Sequence, residues 1–217
     1  MKEILNFLSD LRDNNNKEWF DLNRDRYQQT KELFLELTEQ FNSAISLIDK
    51  DIPIVNPKDC MFRIFRDVRF SKDKTPYKIN YGSYISIGGR KSNFPGYYIH
   101  IEPNNSFFGG GYYYPSPEHL KLIRDEIYNN ASELNEIINN KAFKSIYGQI
   151  DDYAMLKTRP KGFPKDFKDM ELLKHKSFTT TMHVSDDNIL SGQLVENLIP
   201  AIKAILPFNQ YLRKALS

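Results

Sequence analysis

Between Arg63 and Lys78 the chain reads RIFRDVRFSKDKTPYK, setting Arg63, Arg66, Arg69, Lys72, Lys74 and Lys78 around only two carboxylates, Asp67 and Asp73. A guanidinium is a planar fork that meets phosphate or carboxylate with two parallel hydrogen bonds, whereas an ammonium acts as a point charge. The chemistry this pattern serves is anion binding, with Tyr77 contributing a phenolic hydroxyl or a stacking ring. Lys161, in the constrained loop RPKGFP, is a further basic position expected to line the same cleft. The competing arrangement is an internal ion-pair network, because a buried charge must be paired. Two aspartates cannot neutralise six cations, and that imbalance favours a ligand.

A second set of residues suits proton transfer. In GYYIHIE the apolar residues Tyr97, Ile99 and Ile101 alternate with Tyr98, His100 and Glu102. On a strand His100 and Glu102 therefore share a face. An imidazole beside a carboxylate is an acid/base or metal pair in principle. A counter-ion role for Glu102 against the basic stretch is the simpler alternative. Asp67 and Tyr77 complete the catalytic candidates, with the arginines stabilising negative charge as it develops. His119, His175 and His183 have less support. No HExxH spacing or cysteine cluster is present, so no metal site is expected, and no cofactor fingerprint is found. The GGG at 109–111 is followed by tyrosines and Pro115, not by a helix, which fits a bulge or close strand approach better than a phosphate loop. Cys60, between Asp59 and Met61, reads as a small buried hydrophobe.

Three functions follow as expectations. The first is binding of an anionic small molecule bearing phosphate or carboxylate, with catalysis as an extension. The alternative is nucleic-acid binding by the same stretch, since its Phe and Tyr residues could stack bases between phosphate contacts; the pI of about 8.4 lies below that of most such domains. The third is a non-catalytic interaction protein whose exposed tyrosines, Tyr113 among them, form a partner surface.

The elements that must position these groups are legible from periodicity. Ile4, Leu5, Phe7, Leu8 and Leu11 recur at helical spacing; Asn16 is placed to cap a second helix running from Trp19 to Ile45. From Cys60 to Tyr114 the aromatic and β-branched texture predicts three or four antiparallel strands, and Phe62 to Phe70 itself favours a strand. Ser116 and Pro117 open a third long helix, Phe143–Tyr147 a short one, SFTTTMHV is a strand, and Ser185 caps a final apolar region interrupted by Pro200 and Pro207. The order predicts an α+β fold, a central mostly antiparallel sheet with helices packed mainly on one face. With 217 residues, 40% of them hydrophobic, and no linker, residues 1–217 are expected to form one domain. The single cysteine fits a reducing compartment, and no run suits a signal peptide or membrane span, which together predict a cytoplasmic protein without a membrane partner. Residues 1–59 carry 8 Lys/Arg and 12 Asp/Glu, so positive charge is local: it lies at 60–80 and again at 157–176, where 7 Lys/Arg face 3 Asp/Glu.

The run from Arg63 to Tyr77 resembles the Arg-x-x-Arg-Asp-x-Arg-Phe signature, followed by Asp/Asn-Lys and Tyr, of the family called domain of unknown function 2461. NNNKEWF, GYYIHIEP, GGGYYYP and RPKGFPKDF resemble further segments of that family in the same order. The resemblance covers nearly the whole chain and implies one soluble bacterial domain, without an assigned activity.

Overall fold

A computed structural model describes residues 1–217. Nine α-helices and four strands are formed: α1 (Lys2–Asp13), α2 (Lys17–Leu22), α3 (Arg24–Ile48), α4 (Pro57–Cys60), β1 (Tyr81–Ile85), β2 (Gly96–Ile101), β3 (Ser106–Tyr112), α5 (Pro117–Asn139), α6 (Lys141–Tyr147), α7 (Met170–Lys174), β4 (Phe178–Val184), α8 (Asp186–Leu190) and α9 (Leu194–Lys214). The strands form one antiparallel sheet in the order β1-β2-β3-β4, and helices come from the N-terminus, the middle and the C-terminus. The fold is α+β. No helix is long and apolar enough to cross a membrane.

The chain divides into two compact units, the first made of Met1–Lys91, Tyr98–Phe108 and His183–Ile199, the second of Ser92–Tyr97, Gly109–Met182 and Pro200–Ser217. In the first, α1 buries Ile4, Phe7, Leu8 and Leu11, the residues its spacing marks. Asn16 caps α2 by accepting from the Trp19 N–H. The expected single helix from Trp19 to Ile45 is broken at Asn23, whose backbone leaves the helical region and whose side-chain amide bonds back to the Trp19 carbonyl. That break lets Phe20 turn inward. It stacks on Tyr77 at 3.9 Å and 10° between planes. Further along, α3 packs on β1 and β3, Phe34 stacking on Tyr81 and Phe41 on Phe108.

The second unit is built around α5, α6 and the C-terminal part of α9. Phe143 packs edge-on against Phe208 at 5.8 Å, and Tyr147 donates to the Ala201 carbonyl at 2.9 Å. Ser116 caps α5 and Ser185 caps α8, as their positions predict. The prolines do not interrupt α9, contrary to the sequence expectation. Pro200 and Pro207 sit inside one continuous helix, where burial of Leu198, Ile202, Ile205 and Phe208 outweighs the two missing hydrogen bonds. Gly111, with φ +109°, lies so close to β4 that an added Cβ would be 2.0 Å from the Phe178 carbonyl oxygen. Close approach, not phosphate binding, explains the glycine run.

Candidate functional site

The basic stretch is not the strand its apolar residues favour. It forms two arms joined by single backbone contacts: Arg66 N–H donates to the Pro76 carbonyl, Lys78 N–H to Ile64, and Phe65 bridges Tyr77. The arms are moored by aromatics, with Phe65 against Phe20, Tyr27 and Tyr77. Beyond the bridge, residues 66–75 form a loop that satisfies much of its own charge, and this is why no ladder continues. Arg66 binds Asp73 and the Thr75 hydroxyl. Arg69 makes a two-pronged pair with Asp67, at 2.9 and 2.6 Å. Lys74 donates to the Val68 carbonyl at 3.0 Å. The Thr75 N–H, Arg66 and the Thr75 hydroxyl together hold the Asp73 carboxyl down to about 2, and Arg69 lowers that of Asp67.

Of the eight binding positions drawn from sequence, only Arg66 and Arg69 have carboxylate partners, and among the others the structure places Arg63 and Lys78 close enough to repel one another. Arg63 is exposed and makes no ion pair, and Lys78 is half-buried with no carboxylate partner, its ammonium 5.5 Å from the centre of the Phe62 ring. Burial, then the repulsion of Arg63, lowers the Lys78 pKa. Lys72 is exposed on the loop. Tyr77 is buried, stacked on Phe20 and held by Asn15, which accepts from its N–H and donates to its carbonyl. Its ring and backbone position the arm. Lys161 is exposed and belongs to the second unit.

What the first unit does gather beside Lys78 is the half-buried face of β2. His100 Nε2 lies 2.8 Å from Glu102 Oε2, and its Nδ1 lies 3.1 Å from the Tyr98 hydroxyl and 3.4 Å from the Asn80 side-chain amide. With Nε2–H donated to the carboxylate, Nδ1 is an acceptor for both neighbours. The order is phenol, imidazole, carboxylate. Phe107 covers the imidazole at 4.5 Å and 12°. Burial lowers the His100 pKa, Glu102 opposes that shift, and Lys78 adds to it. Glu102 is itself held by Asn105 at 3.3 Å and by the exchange of its backbone with the Ser106 hydroxyl. Tyr98 and Asn80 join the site beyond the residues expected from sequence, although strand alternation already puts Tyr98 on the His100 face. Gly82 makes room for Tyr98, since a Cβ there would stand 2.5 Å from its hydroxyl oxygen. Asp67, occupied by Arg69, is not part of this chain. No group of His, Cys, Asp and Glu is arranged to hold a metal ion, and Cys60 is buried with its thiol raised to about 11.

The model of the family described as "Conserved hypothetical protein (DUF2461)" matches residues 3–211. The chain belongs to that family. No curated protein and no solved structure matches it.

Proposed function

We propose that this protein binds an anionic small molecule bearing phosphate or carboxylate at Arg63 and Lys78, next to a Tyr98–His100–Glu102 proton relay that performs acid–base chemistry on it. The observation that carries the reading is Lys78: a half-buried ammonium without a carboxylate partner, facing a second cation and a neutral imidazole. Removing a charge from water without pairing it is costly, and a bound anion supplies the missing partner. Glu102 orients His100 and stabilises its protonated form, so that His100 accepts the Tyr98 proton as Tyr98 takes one from the ligand. The buried thiol of the single cysteine fits a reducing, cytoplasmic setting.

The test is thermal-shift screening against nucleotides, sugar phosphates, acyl phosphates and carboxylates, followed by calorimetry. A hit is expected to lose about tenfold to a hundredfold in affinity in Arg63→Ala and in Lys78→Met, each being one charge-assisted contact. Arg69→Ala, whose partner is Asp67, is expected to bind as wild type does. A hit indifferent to both Arg63 and Lys78, or no hit at all, overturns the proposal.

Phe70 favours a second reading. It is 96% exposed at the loop, with the Arg69 guanidinium 5.9 Å from its ring centre and Lys72 close in sequence. A ring presented this way, among cations, suits stacking on an unpaired base. Affinity for a labelled single strand that falls steeply with salt and drops in Phe70→Ala supports this reading; flat, negligible binding at low salt removes it.

A further inference from the structure

The second unit holds an aromatic cluster unrelated to the relay. Tyr113, Tyr114 and Tyr153 are 64%, 52% and 55% exposed, yet their rings adjoin one another: centroids lie 4.7 Å apart for Tyr113 and Tyr114, 6.4 Å for Tyr113 and Tyr153, and 6.5 Å for Tyr114 and Tyr153. The first pair is perpendicular and the last is at 60°, so the rings meet at angles and are not stacked flat. Three exposed rings at one place, drawn from two segments of chain, require explicit mounting.

That mounting is present. Tyr114 has φ +44°, a left-handed backbone that a non-glycine residue adopts only under constraint. Its N–H donates to the Ser177 hydroxyl at 3.2 Å. The Tyr153 hydroxyl lies 3.0 Å from Ser177 Oγ and 3.0 Å from Thr179 Oγ1. Thr179 in turn donates to Asp151 Oδ2 at 2.8 Å, and Thr181 to Oδ1 at 3.3 Å. The threonine's proton is committed to the carboxylate, so its oxygen accepts from Tyr153. The phenol thus feeds a hydrogen-bond chain that ends on a negative charge, which makes its ring more electron-rich. The chain's own cation–ring contacts fall on Phe7, Trp19, Phe70 and Phe62, so none of its cations occupies the three tyrosines.

We infer that Tyr113, Tyr114 and Tyr153 form a receptacle for an organic cation of the quaternary ammonium class. Electron-rich ring faces attract such a cation through their quadrupoles, and a bulky, weakly hydrated cation loses little on leaving water. Asp151, at the end of the hydrogen-bond chain from the Tyr153 hydroxyl, sets the sign of the charge selected. The site is independent of the anion site and takes the opposite charge.

Choline is the probe, with 3,3-dimethyl-1-butanol as its uncharged isostere, and the tyrosine ring resonances are followed by NMR at constant ionic strength. Choline is expected to shift the rings of all three tyrosines saturably in the millimolar range, while the alcohol does not. Tyr153→Leu is expected to weaken choline about tenfold, and Tyr153→Phe and Asp151→Asn about threefold, the two conservative variants preserving the fold. Equal binding of the uncharged isostere, or no saturable shift with choline, overturns the inference.

Discussion

The His100 imidazole lies flat on the Phe107 ring, 4.5 Å between centres, while Glu102 holds its edge at 2.8 Å. The two neighbours push its proton affinity in opposite directions. Burial disfavours the imidazolium and Glu102 favours it, with burial the larger effect. His100 is expected to titrate below its ordinary value of 6.5 in an NMR titration of the ring protons. Glu102→Gln lowers it further and Lys78→Met raises it. An unchanged value in both variants contradicts the geometry.

The same shift fixes the sign of a stability change. The unfolded chain takes up a proton at His100 near 6.5, the folded chain only at lower pH, so stability is fully present above 6.5 and falls as pH drops below it. Melting temperatures between about pH 5 and 7.5 should show this decline in wild type, and a shallower one in His100→Asn.

Phe20 and Tyr77 form the tightest ring pair named here, and Tyr77 carries the arm that ends in Lys78. Phe20→Ala empties a core site and should cost about 3–5 kcal/mol in chemical denaturation, whereas Tyr77→Phe, keeping the ring, should cost less than about 1.5 kcal/mol and leave ligand binding intact. A Tyr77→Phe protein that folds but loses the ligand would restore Tyr77 to the site.

What the sequence made legible, and what it hid, divides along physical lines. Strict alternation in GYYIHIE put His100, Glu102 and Tyr98 on one face, because the strand period is local. The charge surplus at 63–78 was equally plain, but which cations were already satisfied was not: Asp67 serves Arg69 two residues away, and Asp73 reaches Arg66 across a loop whose turn no periodicity encodes. Tyr77 and Tyr98 look alike in sequence. One is buried by Phe20, the other pointed at His100, and only long-range packing separates them. The same packing carries α9 through two prolines that local propensity would treat as breaks.

Gly82 offers the sharpest separation of fold from chemistry. A methyl group there meets not backbone but the far end of Tyr98, at 2.5 Å from the hydroxyl oxygen and 3.1 Å from the carbon that bears it. The ring can swing away at modest cost, so Gly82→Ala should lower stability by no more than about 1–2 kcal/mol. The hydroxyl cannot swing without leaving His100 Nδ1, from which it is 3.1 Å distant. Gly82→Ala is therefore expected to bind the anion through Arg63 and Lys78 nearly as wild type does, while any turnover of that ligand falls at least about a hundredfold, as it does in Tyr98→Phe. Turnover that survives both substitutions would mean that the phenol takes no part, and would leave His100 and Glu102 to act on the ligand directly.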